Sequence, residues 1–233
     1  MSIVAIIMAR GGSKRIPRKN IKSFCGKPII AYSIEAALQS ELFDEIMVST
    51  DDGEIADIAK QYGANVPFLR SADTANDFAD TSDVLKEVLF EYNKLGKRFE
   101  FFCCLYPTAP FVTPQKLKNS FELFQNDDVY NVVPMVPFSF PPQRGMIKEK
   151  DFVKPFSPQD IEKRSQDLPE ILHDCGQFYW CKTQTFLDNS NILYNHTAPF
   201  IVSETEVQDI DNQSDWELAE IKYSYMVRKN GNN

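Results

Sequence analysis

The stretch from Ile3 to Lys27 constrains this chain more than any other. An apolar run, Ile3 to Met8, passes directly into a loop that carries two glycines and a series of lysines and arginines. A short, continuously apolar segment of this kind reads as a strand buried on both faces. Pro28, pre-organised for a first helical turn, then opens an apolar-periodic helix from Ile29 to Leu38. Glu45 to Ser49 supplies a second strand. A helix from Gly53 to Tyr62 follows, with Asp51 placed to cap it and Glu54 completing a capping-box pattern. The alternation continues through a helix from Thr81 to Tyr92, a strand from Phe99 to Leu105, a helix opened by Pro114 and a strand from Val129 to Val136. This order predicts a three-layer α/β fold, a mostly parallel, Rossmann-like sheet with helices on both faces. Ligands of such sheets sit beyond the carboxyl ends of the strands, which directs attention to the loops after Met8, Ser49, Leu105 and Val136.

From Pro137 to His173 the rhythm stops. Six prolines and the aromatics Phe138, Phe140, Phe152 and Phe156 replace the strand and helix pattern. This is read as an insertion, residues 137–173, within a single domain spanning residues 1–233, since that length suits one α/β core better than two. Regular structure resumes with a strand from Gly176 to Lys182. After the acidic element Asp209-Ile210-Asp211 it ends in a helix from Ser214 to Met226, with a frayed polar tail from Lys229 to Asn233.

Charge narrows the function. The net charge of −8 conceals one cationic stretch, Arg10, Lys14, Arg15, Arg18, Lys19, Lys22 and Lys27, that contains no acid. An acidic body with one concentrated basic segment suits a compact polyanion such as a triphosphate; a nucleic acid would need an extended basic face. The apolar opening ends at Arg10, too short for a signal peptide or a membrane span, so a cytoplasmic protein without a membrane partner is expected. The five cysteines, Cys25, Cys103, Cys104, Cys175 and Cys181, are odd in number and include no CxxC pair. Buried free thiols are the expectation, not a disulfide framework or a zinc site.

In Ala9-Arg-Gly-Gly-Ser-Lys-Arg-Ile-Pro-Arg-Lys-Asn20 the glycines follow a strand, where backbone N–H groups can approach an anion, and the bases supply charge. The segment is neither a Walker loop nor a GxGxxG fingerprint, because Gly26-Lys27 is followed by Pro28. Asp209 and Asp211, two residues apart on an extended segment, project to one face and can share a hard cation; capping of the next helix is the competing reading.

The run MARGGSKRIPRKNI resembles the N-terminal signature of the CMP-sugar synthetases, cytidylyltransferases that activate sialic acids and related acidic sugars. The resemblance continues through Gly26-Lys27-Pro28-Ile29, Val48-Ser49-Thr50-Asp51, Val66-Pro67-Phe68-Leu69-Arg70, Leu105-Tyr106-Pro107-Thr108-Ala109-Pro110 and the Asp209/Asp211 element, nearly the whole chain. It implies a nucleotide-diphospho-sugar transferase-like fold, with CTP and an acidic nine-carbon sugar as substrates. It also implies Mg²⁺, with Mn²⁺ as the alternative, held by Asp209 and Asp211. Carried onto matching positions, the nucleotide contacts are Arg10, Gly11, Gly12, Ser13, Lys14, Arg15, Lys19 and Asn20, with Arg70, Thr81 and Ser82 at the cytidine. Arg10, Lys14, Lys19 and Asp211 fall to the chemistry. Tyr106, Thr108, Arg164, Gln177 and Tyr179 fall to the sugar, with Arg164 on its carboxylate. The insertion resembles the family's dimerisation segment, so a homodimer is expected in which Arg164 serves the partner's site. His173 is read as structural.

Two departures bear on the sugar. Sialic acid enzymes of the family show Gln where Tyr106 stands, and Asn-Gly-Ala-Ile-Tyr where this chain has Cys175-Gly-Gln-Phe-Tyr179. The combination resembles the branch that handles pseudaminic acid, whose less polar end suits an aromatic wall of Tyr106 with Phe178 or Tyr179.

Overall fold

The computed structural model describes residues 1–76, 79–193 and 195–231. In chain order the elements of the first half are β1 (Ile3–Met8), a tight hairpin of β2 (Ser23–Phe24) and β3 (Lys27–Pro28), α1 (Ile29–Ser40), β4 (Glu45–Ser49), α2 (Gly53–Gln61), α3 (Ala72–Ala75), α4 (Thr81–Lys94), β5 (Phe101–Leu105) and α5 (Pro114–Phe121). The second half has β6 (Asn131–Pro137), a hairpin of β7 (Met146–Glu149) and β8 (Phe152–Pro155), β9 (Leu172–Asp174), β10 (Phe178–Lys182), α6 (Thr183–Asn189), β11 (Thr197–Ile201) and α7 (Gln213–Gly231).

The strands β11, β6, β10, β5, β1 and β4 lie side by side in that order, and β9 also pairs with β6. β4, β1 and β5 are mutually parallel, as are β6 and β11; β9 and β10 run antiparallel to their neighbours. The predicted mostly parallel sheet is therefore present, with one reversed line through it. Alternation along β1 builds two cores. Ile3, Ala5 and Ile7 join Ile30 and Ile34 of α1 and Leu117 of α5 on one face, while Val4 and Ile6 join Leu85, Val88 and Leu89 of α4 and Phe186 of α6 on the other. Burying one Ile or Leu contributes about 1.5–3 kcal/mol, so these two layers hold the sheet between its helices.

Local signals explain most helix starts. Thr113 caps α5 with Pro114 in the first turn, and Asp80 with Asp83 forms a reciprocal capping box on α4. The cap of α2 differs from expectation: Asp52, not Asp51, accepts from Ile55 N at 3.1 Å, and Glu54 turns away to pair with Arg18. The sequence pattern marks neither α6 nor β11. Thr197–Ile201 is an edge strand interrupted by Pro199, which an edge tolerates because one side of its backbone needs no partner. The predicted strand from Gly176 begins at Phe178, since Gly176 lies at φ +60°, a left-handed conformation that breaks the line between β9 and β10. Helix α7 runs through Lys229 to Gly231, where the polar composition predicts a frayed tail; Asn232 and Asn233 lie outside the described residues. Of the five cysteines four are buried as expected, but Cys25 is exposed, at a left-handed turn between β2 and β3.

A third cluster lies beside the basic loop. Trp216, Ala219 and Met226 of α7 pack on Phe24, Tyr32 and Ile16, so the last helix closes over the segment between β1 and α1.

Candidate active site

β1 and β5 are parallel neighbours, so the loops leaving them lie side by side at the carboxyl edge of the sheet, where ligands of such sheets bind. A cleft of about 390 Å³ lies there, formed by Met8, Arg10, Ser13, Lys14, Arg15, Ile16, Lys19 and Asn20 from the first loop, Tyr106, Pro107 and Thr108 from the second, and Asp211. A second cleft of about 220 Å³ shares Met8 and Arg10 and continues past Arg70 to Thr81.

The basic loop is pinned at several points. Gly11 N donates to Asp51 Oδ1 at 2.9 Å, and a Cβ on Gly11 would stand 2.7 Å from Asp52 Oδ2, so any side chain there would have to displace the Asp52 carboxylate. Gly12 has no such constraint, a Cβ there meeting nothing within 4 Å. Arg18, itself left-handed at φ 55°, donates to both Asp52 and Glu54. The bond to Arg18 holds the Asp52 carboxyl below its ordinary range and raises the guanidinium in return. Asn20 Nδ2 closes the loop onto Arg10 O at 2.9 Å. The sequence pattern marks Asp51 as a helix cap; its actual role is to hold the loop, and the adjacent Asp–Asp pair after a strand is the available signal.

Asp209 and Asp211 flank a buried Ile210, so their side chains do share a face. The capping alternative falls to other residues: Asp215 accepts from the backbone of Asp211 and Asn212 at 2.9 Å each, and Asn212 returns a bond to Asp215 N. Lys19 reaches between the two carboxylates to donate to Ile210 O at 2.7 Å; burial lowers its pKa against the pull of both aspartates. Arg15 pairs with Asp211 at 2.6 Å. Burial, then repulsion from Asp211, raises the Asp209 carboxyl. Two carboxylates in mutual repulsion, one of them lining the cleft, fit a divalent cation. Among the described residues no third His, Cys, Asp or Glu joins them, so such an ion would complete its shell with phosphate oxygens and water, as Mg²⁺ does.

The sugar residues divide. Tyr106 and Thr108 line the cleft. Tyr179 is buried behind Tyr106, their ring centroids 5.4 Å apart, whereas Phe178 faces the opposite core and takes no part in the wall. Gln177 does not line the cleft; its amide donates to Glu206 O at 2.7 Å and so ties the start of β10 to the acidic segment. Arg164 is exposed on the insertion and pairs with Asp167, away from this chain's own cleft. Arg70 is mostly buried, bonded to Ser49 at the end of β4, with one side on the second cleft. Thr81 lines that cleft and Ser82 does not.

The family model of the cytidylyltransferases matches residues 4–215. The chain belongs to the cytidylyltransferase family. A pseudaminic acid cytidylyltransferase of Campylobacter jejuni is 39% identical over 96% of this chain and 97% of its own length. A CMP-N,N'-diacetyllegionaminic acid synthase of Legionella pneumophila is 38% identical over 94% and 95%. Among solved structures, a CMP:2-keto-3-deoxy-manno-octonic acid synthetase complexed with CTP matches 98% of the chain and all of its own with a TM-score of 0.70 at 16% identity, which shows the shared fold. This cytidylyltransferase sets its basic loop against the carboxyl ends of a mostly parallel sheet.

Proposed function

We propose that this cytidylyltransferase transfers CMP from CTP to the anomeric hydroxyl of pseudaminic acid, releasing pyrophosphate. The observation that carries the sugar assignment is the Tyr106 ring in the wall of the cleft, backed by the buried Tyr179. The wall speaks against a polyhydroxylated sugar, but diacetyllegionaminic acid also bears acylamino groups; between those two the pseudaminic acid cytidylyltransferase of Campylobacter jejuni, at 39% identity over nearly the whole chain, supports pseudaminic acid. A deoxy, acylamino-bearing sugar packs on aromatic faces where a polyhydroxylated one would leave hydroxyls desolvated, at about 1–3 kcal/mol each.

Arg10, Lys14 and Lys19 supply the donors for a triphosphate in the cleft. As the hydroxyl attacks the α-phosphorus in line with departing pyrophosphate, negative charge grows on oxygens these groups already face. Asp211, the carboxylate of the pair that lines the cleft, would assist removal of the hydroxyl proton, directly or through the bound metal. Mg²⁺, with Mn²⁺ as the alternative, would be held by Asp209 and Asp211 and would neutralise phosphate oxygens.

The protein acts in the cytoplasm, where CTP is available, as a homodimer. The exposed Phe152, Phe156 and Met146 of the insertion support the dimer, since a lone two-stranded hairpin needs a surface to pack on. Arg164, remote from its own cleft, then reaches the partner's. Pyrophosphate release with CTP, Mg²⁺ and a panel of pseudaminic, legionaminic and N-acetylneuraminic acids tests the reading. Preference for pseudaminic acid is expected; preference for N-acetylneuraminic acid would refute the sugar assignment, and no turnover with any would favour a nucleotide-sugar sensor that has lost catalysis.

A further inference from the structure

The acidic segment that carries Asp209 and Asp211 lies outside the strands of the sheet, yet four other parts of the chain hold it. Gln177, just ahead of β10, donates to Glu206 O at 2.7 Å, Lys222 of α7 to Val207 O at 2.7 Å, and Lys19 of the basic loop to Ile210 O at 2.7 Å. The fourth hold is an ion pair, in which Lys116 of α5 meets the Glu206 carboxylate at 2.6 Å. Lys116 Nζ also donates to Phe111 O at 2.9 Å, so one ammonium ties the loop between β5 and α5 to the acidic segment. Both partners of the pair are largely withdrawn from solvent, with side chains 13% and 23% exposed.

By local rules Lys116 is badly placed. It stands in the first turn of α5, its own N–H bound by the Thr113 cap, where the helix amino end disfavours a cation. A lysine set there and turned out of water needs a tertiary partner, and Glu206 supplies it. Glu206 precedes Asp209 by three residues and is held twice, by its carboxylate and by its carbonyl, so the chain leaves it from a fixed point. The far end of the segment is fixed by Lys19 and by Asp215, which accepts from Asp211 N. We propose that Lys116 is a positioning residue for the acidic pair: acting through Glu206, it sets the place from which Asp209 and Asp211 reach a divalent cation. The inference rests on the metal assignment proposed above. A pair of carboxylates grips a small ion of strict geometry such as Mg²⁺ only when it is held to within about 0.5 Å.

The test reads metal binding directly. Mn²⁺ titrated into the protein without nucleotide or sugar, with the free ion followed by electron paramagnetic resonance, should bind Lys116→Met about 10-fold or more weakly than the parent. Lys116→Arg, which keeps the charge and the donors, should retain most of the affinity. Glu206→Gln leaves the carbonyl to Gln177 and turns the pair into a neutral contact. It should show a smaller loss in the same direction, and it carries the test where Lys116→Met does not fold. Lys97→Met is the control, since Lys97 meets Glu45 at the same 2.6 Å at the start of β4, the end of the sheet away from the cleft. It should lower the melting temperature and leave Mn²⁺ affinity unchanged. Pyrophosphate release should agree, with the Mg²⁺ concentration for half-maximal rate raised in Lys116→Met and the rate at saturating Mg²⁺ largely restored. Unchanged Mn²⁺ affinity in Lys116→Met and Glu206→Gln, or an equal loss in Lys97→Met, would overturn the inference. No Mn²⁺ binding by the parent, or an affinity unchanged in Asp211→Asn, would instead overturn the metal assignment, and this inference with it.

Discussion

The sheet and the insertion use the same residues for opposite ends. Phe102 and Phe178 in the strands are fully buried, whereas Phe152 and Phe156 in the insertion are 79% and 62% exposed. The strands are covered by helices on both sides, so an aromatic there holds the fold. The insertion has only its own hairpin, and an aromatic there is available to another surface. Stability and function should therefore separate along this division, with the loops at the carboxyl ends of the strands siding with the insertion.

The strongest test of the division is Phe102→Ala. It should destabilise the fold by about 3–5 kcal/mol in denaturant unfolding, while the folded fraction keeps its kcat. A change in chemistry at constant stability would break the distinction. Asp209→Asn and Asp211→Asn should do the reverse, lowering turnover on the order of 10²- to 10³-fold with the Tm barely moved. Near-normal rates at limiting Mg²⁺ would remove these residues from the metal. Lys14→Ala and Arg10→Ala should reduce kcat/KM about 10- to 100-fold, again with little change in melting, because the loop contributes few buried contacts.

At the insertion, Phe152→Glu with Phe156→Glu should convert a dimer to a monomer in light scattering and weaken sugar use without lowering core stability. A fully active monomer would sink both the dimer and the shared Arg164. The smallest effect concerns pH. Arg18 depresses the Asp52 carboxyl, so the contribution of this contact is complete above the ordinary carboxylate value of about 4 and is lost as pH falls through the lowered folded value. Asp52→Asn should flatten that acid limb of the stability profile.

The parts of the molecule legible in the sequence are those whose signal is local. Buried strands such as Phe101–Leu105 announce themselves as apolar runs, and Thr113-Pro114 or Asp80-Thr81 mark helix starts within a few residues. β11 is hidden because it is a half-exposed edge strand carrying Pro199, and the break at Gly176 because a glycine beside an apolar run also reads as a strand beginning. In the site, the basic loop and Asp211 are legible and do meet. Gln177 and Lys116 are not, because their roles depend on Glu206, a partner that sequence periodicity does not connect to them. The Asp51/Asp52 exchange is a one-residue shift that only the approach of Gly11 decides.

The bond from Lys19 to Ile210 spans 191 positions, and α7 seals the loop between the first strand and the first helix. The cleft therefore joins parts of the chain that leave the ribosome at widely separated times. A nascent chain can lay down β1, β4 and β5 and bury their cores, yet it has neither carboxylate of the acidic pair until every strand of the sheet has been made. The chain thus acquires its sheet before its acidic pair, and on the proposed role of Asp209 and Asp211 a growing polypeptide with a formed sheet could not yet consume CTP.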